Sequence, residues 1–291
     1  MCIRDRIRAS IRFKHFKKTY DENILDIKGG LNDVVMNNSP IDIDKLIEGT
    51  NEILTANRNS LQLFDMLHSM RQFDDLTYVH SVNVALIASI LGQWLKFSEK
   101  DIRILTISGL LHDIGKIMIP NEILTKPGKL TVAEYNIMKQ HVNFGYEKVK
   151  NQNIDIRIKE ACLLHHEKCD GTGYPFGLKS DHIPAVAKII AIADVYDAMT
   201  SARVYRGALC PFEVIDTMYK DAFTKFEPEY ILPFLKNVAS SYINNDVRLS
   251  DGRIGKVVLI NENALSLPIV QCEDEFIDLS KTRGLTVSAI L

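Results

Sequence analysis

The stretch His165-His166-Glu167-Lys168-Cys169-Asp170-Gly171-Thr172-Gly173-Tyr174-Pro175 runs two adjacent histidines into a glycine-rich turn closed by a proline. Imidazoles and carboxylates are the side chains that hold divalent transition metals, so the run reads as ligands feeding a stiff loop. Outward from it lie His112-Asp113-Ile114-Gly115-Lys116 upstream and Asp194-Val195-Tyr196-Asp197 downstream. Three such clusters in one chain point to a multi-metal hydrolytic site.

Each cluster sits in apolar surroundings. Ile102, Ile104, Leu105, Ile107, Leu110 and Leu111 lead into His112 and Asp113. A carboxylate there must be paired, protonated or bound to metal, because burying it alone is costly. The structural alternative has His112 capping one helix and Asp113 capping the next, and the dipeptide alone leaves both readings open. Gly115 and Lys116 favour chemistry, since the glycine permits a close turn and sets a lysine beside the carboxylate.

Asp194 lies among Ile189, Ile190, Ala191, Ile192, Ala193, Val195, Ala198 and Met199, where it needs a partner. An ion pair with Arg203 is the structural option. His80 opens a helix that is apolar nearly all round (Val79, Val82, Val84, Leu86, Ile87, Ile90, Leu91), which marks a buried element. His141 lies early on a helix of its own. A lone histidine of this kind is more often structural, but the same ambiguity at four sites makes coincidence the weaker account.

The wider pattern is mainly α. Residues 8–72 read as irregular helices with a break at Asn38-Ser39-Pro40. Ser98 with Asp101, and Thr131 with Glu134, carry helix-start signatures. Pro184 and Pro211 stand where first helical turns begin. After about residue 245 the texture becomes β. Val247 to Ser250 and Arg253 to Ile260 flank Asp251-Gly252 as a hairpin with a two-residue turn, and 268–272, 276–279 and 285–291 supply further short strands. The chain divides into an N-terminal helical segment (1–73), a helical bundle (74–244) and a small β-rich appendage (245–291) without histidines, expected to take no part in chemistry.

A net charge of −2 gives no footprint for bulk nucleic acid, and no apolar run approaches the ~20 residues of a membrane span. The five cysteines are scattered and odd in number, which disfavours disulfide or zinc-finger frameworks and fits a reducing cytoplasm. Met1-Cys2-Ile3-Arg4-Asp5-Arg6 has the look of a non-native start, so the natural protein is expected to begin further upstream. Arg8, Arg12, Lys14, Lys17 and Lys18 are read as a solvated helix face, with a membrane-proximal or linker helix as the alternative.

His80 (within Tyr78 to Val84), His112-Asp113 (within the HDxGK run at 112–116), His141, the HHExxDGxGYP run at 165–175, and Asp194 (within 189–201) together resemble the HD-GYP domain, a branch of the HD metal-dependent phosphohydrolases. The resemblance covers about residues 74–240. It implies an HD-type helical bundle hydrolysing cyclic di-GMP at two divalent ions, iron or manganese, through a hydroxide bridging them. By resemblance, His80, His112, Asp113 and Asp194 hold one ion, and Asp113 bridges to a second held by His141, His165 and His166. Asp113 and Lys116 are then catalytic, and Gly173, Tyr174, Pro175, Arg203 and Arg206 contact the dinucleotide. Asp197 and Glu167 would orient ligands. Leu76 stands where some members place a glutamate for a third ion, and Asp75 is rotated away, so two ions are expected. The alternatives are hydrolysis of another cyclic dinucleotide or nucleotide, and a catalytically silent module that binds cyclic di-GMP. Signalling proteins, an upstream sensory domain and a second copy of the chain are the expected partners.

Overall fold

The computed structural model describes residues 10–57, 60–70, 76–201 and 209–291, apart from the side chains of residues 65, 68, 69 and 76. Helix α1 (Ile11–Asn37) is capped by Ser10, whose side chain accepts from the Phe13 amide. It ends at Asn38, whose φ of 51° turns the chain out of the helix. Helix α2 (Ile43–Ala56) follows, capped by Asp42, and α3 (Ser60–Met70) comes next. Phe13, Phe16, Tyr20, Ile27, Leu31, Val34 and Val35 form the buried stripe of α1. Arg12, Lys14, Lys17 and Lys18 lie on its exposed side, as a solvated face requires.

Two helices form the centre of the bundle. In α4 (Leu76–Trp94), Val82, Val84, Ala85, Leu86, Ile87, Ala88, Ile90 and Leu91 are all buried. Helix α4 packs on α5 (Glu99–Leu111), on a later helix α10 (Ala185–Thr200) and on α1. Phe64 of α3 meets Tyr196 of α10 at 5.5 Å between ring centroids, and Phe234 meets Tyr196 at 5.1 Å edge-on. Such offset and edge contacts are the favoured arrangements of buried rings.

The peripheral elements are short. A 3-10 turn (Ile114–Met118) follows α5, then α6 (Asn121–Leu124), α7 (Val132–Met138), α8 (His141–Val149) and α9 (Ile156–Leu164). Ser98 caps α5, and Thr131 with Glu134 forms a reciprocal capping box on α7, both as the sequence indicates. After α10 come α11 (Pro211–Asp221), with Pro211 in its first turn, and α12 (Pro228–Ser241). Pro184 sits just ahead of α10.

The C-terminal part is a five-stranded antiparallel sheet in the order β4-β3-β2-β1-β5. Its strands are β1 (Asp246–Leu249), β2 (Ile254–Leu259), β3 (Ile269–Cys272), β4 (Glu275–Asp278) and β5 (Val287–Ile290). The β1–β2 turn is longer than the two residues read from Asp251-Gly252. The Leu249 amide donates to the Arg253 carbonyl and the Gly252 amide to the Leu249 carbonyl, which leaves Ser250–Gly252 as a three-residue loop. Gly252 has φ 94°, the left-handed position that closes such a loop with a bulge. Strand β5 packs on α11. Val247, Val257, Val270, Leu279 and Val287 belong to the same buried cluster as the helices, so sheet and bundle share one core.

No helix among the described residues is long and apolar enough to cross a membrane.

Candidate metal centre

Six segments converge on one buried spot. Asp113 stands between α5 and the 3-10 turn with its side chain making no capping bond. It is 1% exposed. Its two oxygens face different partners. Oδ2 lies 3.3 Å from His112 Nε2, 3.6 Å from His80 Nε2 and 2.5 Å from Lys116 Nζ. Oδ1 lies 3.3 Å from His141 Nε2 and 3.8 Å from His165 Nε2. Asp194 completes the first side, with Oδ1 2.9 Å from His80 Nε2. Its Oδ2 is 3.8 Å from His166 Nδ1. The ligand atoms fall into two groups, Asp113/His141/His165/His166 and His80/His112/Asp194, each spanning no more than 4.8 Å.

The local chain aims the imidazoles. Nδ1 of His112, His141 and His165 bonds the backbone carbonyls of Gly109, Met138 and Ala161 at 2.8, 2.7 and 3.0 Å. A carbonyl only accepts, so each Nδ1 carries the proton and each Nε2 presents a lone pair to the centre. His80 is oriented by Asp197, whose Oδ2 lies 2.7 Å from its Nδ1, so that its Nε2 faces Asp194 and Asp113. Asp197 therefore orients a candidate ligand, as the sequence reading has it. Gly115 allows the register: a Cβ there would run into the His141 carbonyl oxygen. The glycine seats the 3-10 turn against the start of α8, bringing His141 to Asp113.

A metal fits this cluster. His112 Nε2 and Asp113 Oδ1 are buried without a hydrogen-bond partner, one in each of the two ligand groups, and orphaned acceptors of that kind are expensive unless a cation meets each of them. The donors are nitrogen and oxygen, which suit divalent first-row ions. Cys162 is buried nearby, but burial pushes its thiol up to about 12 and it donates to the Leu111 carbonyl, so no thiolate joins the set.

Electrostatics divides the histidines. Burial alone would lower His80, yet hydrogen bonds with Asp194 and Asp197 raise it to about 9. Burial lowers His166 to about 3 against the pull of Asp194, and it also lowers His141 and His165. Burial works to raise Asp113, but Lys116 and His112 outweigh it and hold the carboxylate well below its usual range. These directions set the pH behaviour of the metal-free fold. His80 binds its proton more tightly when folded, so its contribution is full below its ordinary 6.5 and is lost as pH rises through about 9. His141, His165 and His166 act in the opposite sense, because folding weakens their protonation and stability falls as pH drops below about 6.5. Denaturant midpoints in excess chelator should therefore form a dome between pH 5 and 9 with its top near 6.5. A steady rise across that range would contradict the assignment.

The loop from 167 to 178 shapes the open edge. Tyr174 stacks on His166 with ring centroids 4.7 Å apart and planes at 27°, and its amide bonds the His166 carbonyl. The Tyr174-Pro175 peptide is cis. Gly173 lies against the backbone of His166 to Lys168, where any Cβ would clash. Glu167 differs from its expected ligand-orienting role. Its buried carboxylate accepts the amides of Phe176, Gly177 and Leu178 at 2.7, 3.1 and 2.9 Å, so it braces the loop. The sequence hides this role, because the three donors are backbone groups and leave no sequence signal.

The cluster thus gathers His80, His112, Asp113, Lys116, His141, His165, His166 and Asp194, with Gly173, Tyr174 and Pro175 in the adjoining loop. Arg203, Arg206 and Asp75 lie outside the described residues, as does the side chain of Leu76, and so do the readings placed on them and on residues 1–9.

The HD domain family model matches residues 48–230. The chain is 36% identical over 203 residues to the cyclic di-GMP phosphodiesterase PA4108 of Pseudomonas aeruginosa, covering 69% of this chain and 49% of that protein. It is 36% identical over 197 residues to the cyclic di-GMP phosphodiesterase response regulator RpfG of Xanthomonas campestris, covering 67% and 52%. A 3'3'-cGAMP-specific phosphodiesterase of Vibrio cholerae is 30% identical over 216 residues, covering 73% and 40%. The chain spans about half the length of the curated relatives it matches. The solved structure of Bd1817, an HDG"Y"P protein from Bdellovibrio bacteriovorus, has a TM-score of 0.57 at 18% identity, covering 78% of this chain and 72% of that chain. That likeness is one of fold.

Proposed function

The chain belongs to the HD domain family, and we propose that it is a metal-dependent phosphodiesterase hydrolysing cyclic di-GMP to the linear dinucleotide, GMP or both. The observation that carries this reading is Asp113, one carboxylate with an oxygen turned to each of two imidazole groups. Two dications bound there, iron or manganese, would acidify a water and stabilise charge on phosphodiester oxygens.

The chain's own groups supply the rest. His80, His112 and Asp194 offer one set of donors, and His141, His165 and His166 the other, with Asp113 shared. Lys116 is 21% exposed at the open edge beside Asp113. It is placed to neutralise a phosphate oxygen or to hand a proton to the leaving oxygen. Tyr174, held between Gly173 and Pro175 and stacked on His166, offers a wall for the dinucleotide. Arg203 and Arg206 are proposed to grip its phosphates through forked contacts. No disulfide joins the described cysteines Cys162, Cys169 and Cys272, which supports work in a reducing cytoplasm.

Protein loaded with Mn(II) or, anaerobically, with Fe(II) should cleave cyclic di-GMP, with products separated by chromatography, and chelator should stop it. Relatives specific for 3'3'-cGAMP favour a second reading, in which the hybrid dinucleotide is preferred. Competition between the two substrates decides it. Binding of cyclic di-GMP with no cleavage of either would instead establish a silent module, and neither binding nor cleavage would refute the proposal.

A further inference from the structure

One hydrogen-bond chain connects the first helix to the metal centre. Tyr20 of α1, 3% exposed, points its hydroxyl at Asn83 Oδ1 across 2.5 Å. Asn83 Nδ2 donates to Asp197 Oδ1 at 3.0 Å, and Asp197 Oδ2 meets His80 Nδ1 at 2.7 Å. Ser201 also donates to Asp197 Oδ1, at 3.2 Å. Asn83 and Asp197 are buried, so no water competes freely for these bonds.

The polarity of the chain is fixed by the Asp197 carboxylate, which only accepts. An asparagine amide can present either its oxygen or its nitrogen to a neighbour. If it turned its oxygen to Asp197, two acceptors would oppose each other in a buried site, which is costly. The amide nitrogen therefore faces Asp197, and the oxygen left on the other side accepts from the Tyr20 hydroxyl, which holds the amide in place. Asp197 in turn holds the His80 ring with Nε2 facing Asp194 and Asp113. Tyr20 itself is fixed by ring contacts along α1, 5.7 Å from Phe16, which lies 6.0 Å from Phe13.

We infer that Tyr20 is a positioning residue for the His80 side of the metal centre, acting through Asn83 and Asp197. The inference rests on the reading of this cluster as a metal site. It assigns α1, which precedes the residues matched by the family model, a share in metal binding. Any displacement of α1 along its axis would then be felt at His80.

The test is Mn(II) titration of chelator-stripped full chain, comparing wild type, Tyr20→Phe, Asn83→Ala and the double variant. Phenylalanine keeps the ring stack and removes only the hydroxyl. Loss of a partner behind a ligating histidine weakens metal binding by about tenfold or more. Tyr20→Phe, two hydrogen bonds further out than Asp197, should weaken one of two Mn(II) equilibria by a fewfold, up to about tenfold, and leave the other unchanged. Asn83→Ala should weaken the same one, and the double variant should lose nothing beyond Asn83→Ala. Wild-type affinity for both ions in Tyr20→Phe, or losses that add in the double variant, would overturn the relay and leave the metal centre standing. If Tyr20→Phe does not fold, undiminished Mn(II) binding by Asn83→Ala alone overturns it. A wild type that binds no Mn(II) overturns both the relay and the metal-site reading.

Discussion

Asp113→Ala should abolish hydrolysis, lowering turnover by at least about 10³-fold, and should strip the protein of one or both ions. The scale follows from the several kcal/mol that a bimetallic clamp supplies to phosphodiester cleavage, each 1.36 kcal/mol being about tenfold in rate. The direction follows from geometry. Removing this side chain takes Oδ2 from His80 and His112 and Oδ1 from His141 and His165 in one step. Helical content should persist, because Asp113 makes no capping bond and Lys116, partly exposed, can turn to water. Elemental analysis with a turnover assay checks this. Undiminished metal together with wild-type turnover would sink the hydrolytic model.

Glu167→Ala should separate substrate handling from metal binding. The carboxylate accepts three backbone amides within a buried environment. Hydrogen bonds to a charged group contribute about 1.5–3 kcal/mol each, so the variant should lose about 3 kcal/mol or more of stability. Released from its brace, the loop bearing Tyr174 and Pro175 shifts, and misplacement of about 1 Å can cost up to about 10²-fold in rate. Metal stoichiometry should stay at the wild-type value, since the bonds of Glu167 run to the loop and not to the imidazoles. If metal content instead falls in step with activity, Glu167 orients ligands after all.

Much of this was readable from residue order, for identifiable reasons. The heavily apolar surroundings of Asp113 and Asp194 announce buried carboxylates that need cations, and both prove 7% exposed or less. Local codes carried the helix starts at Ser98 and Thr131. What stayed hidden depends on contacts between distant segments. Tyr20 and Asn83 are 63 residues apart, and no periodicity links a tyrosine on one helix to an asparagine on another. Glu167 looked like one more acid beside two histidines, because a carboxylate's choice of backbone amides is made by the fold of the loop. The β1–β2 turn was misjudged by one residue because Asp-Gly serves both two-residue turns and three-residue turns closed by a bulge.

The carbonyl tethers on His112, His141 and His165 reach back only three or four residues. Each imidazole is aimed by its own stretch of chain, like an instrument calibrated before it is mounted. Segments between these stretches, such as 119–131 and 150–155, can then lengthen or shorten without disturbing where the rings point. Surface insertions of this sort carry only a small closure penalty. A lineage can thus remodel the rim around the centre, and with it the choice of ligand, while the inherited aim of the rings stays untouched.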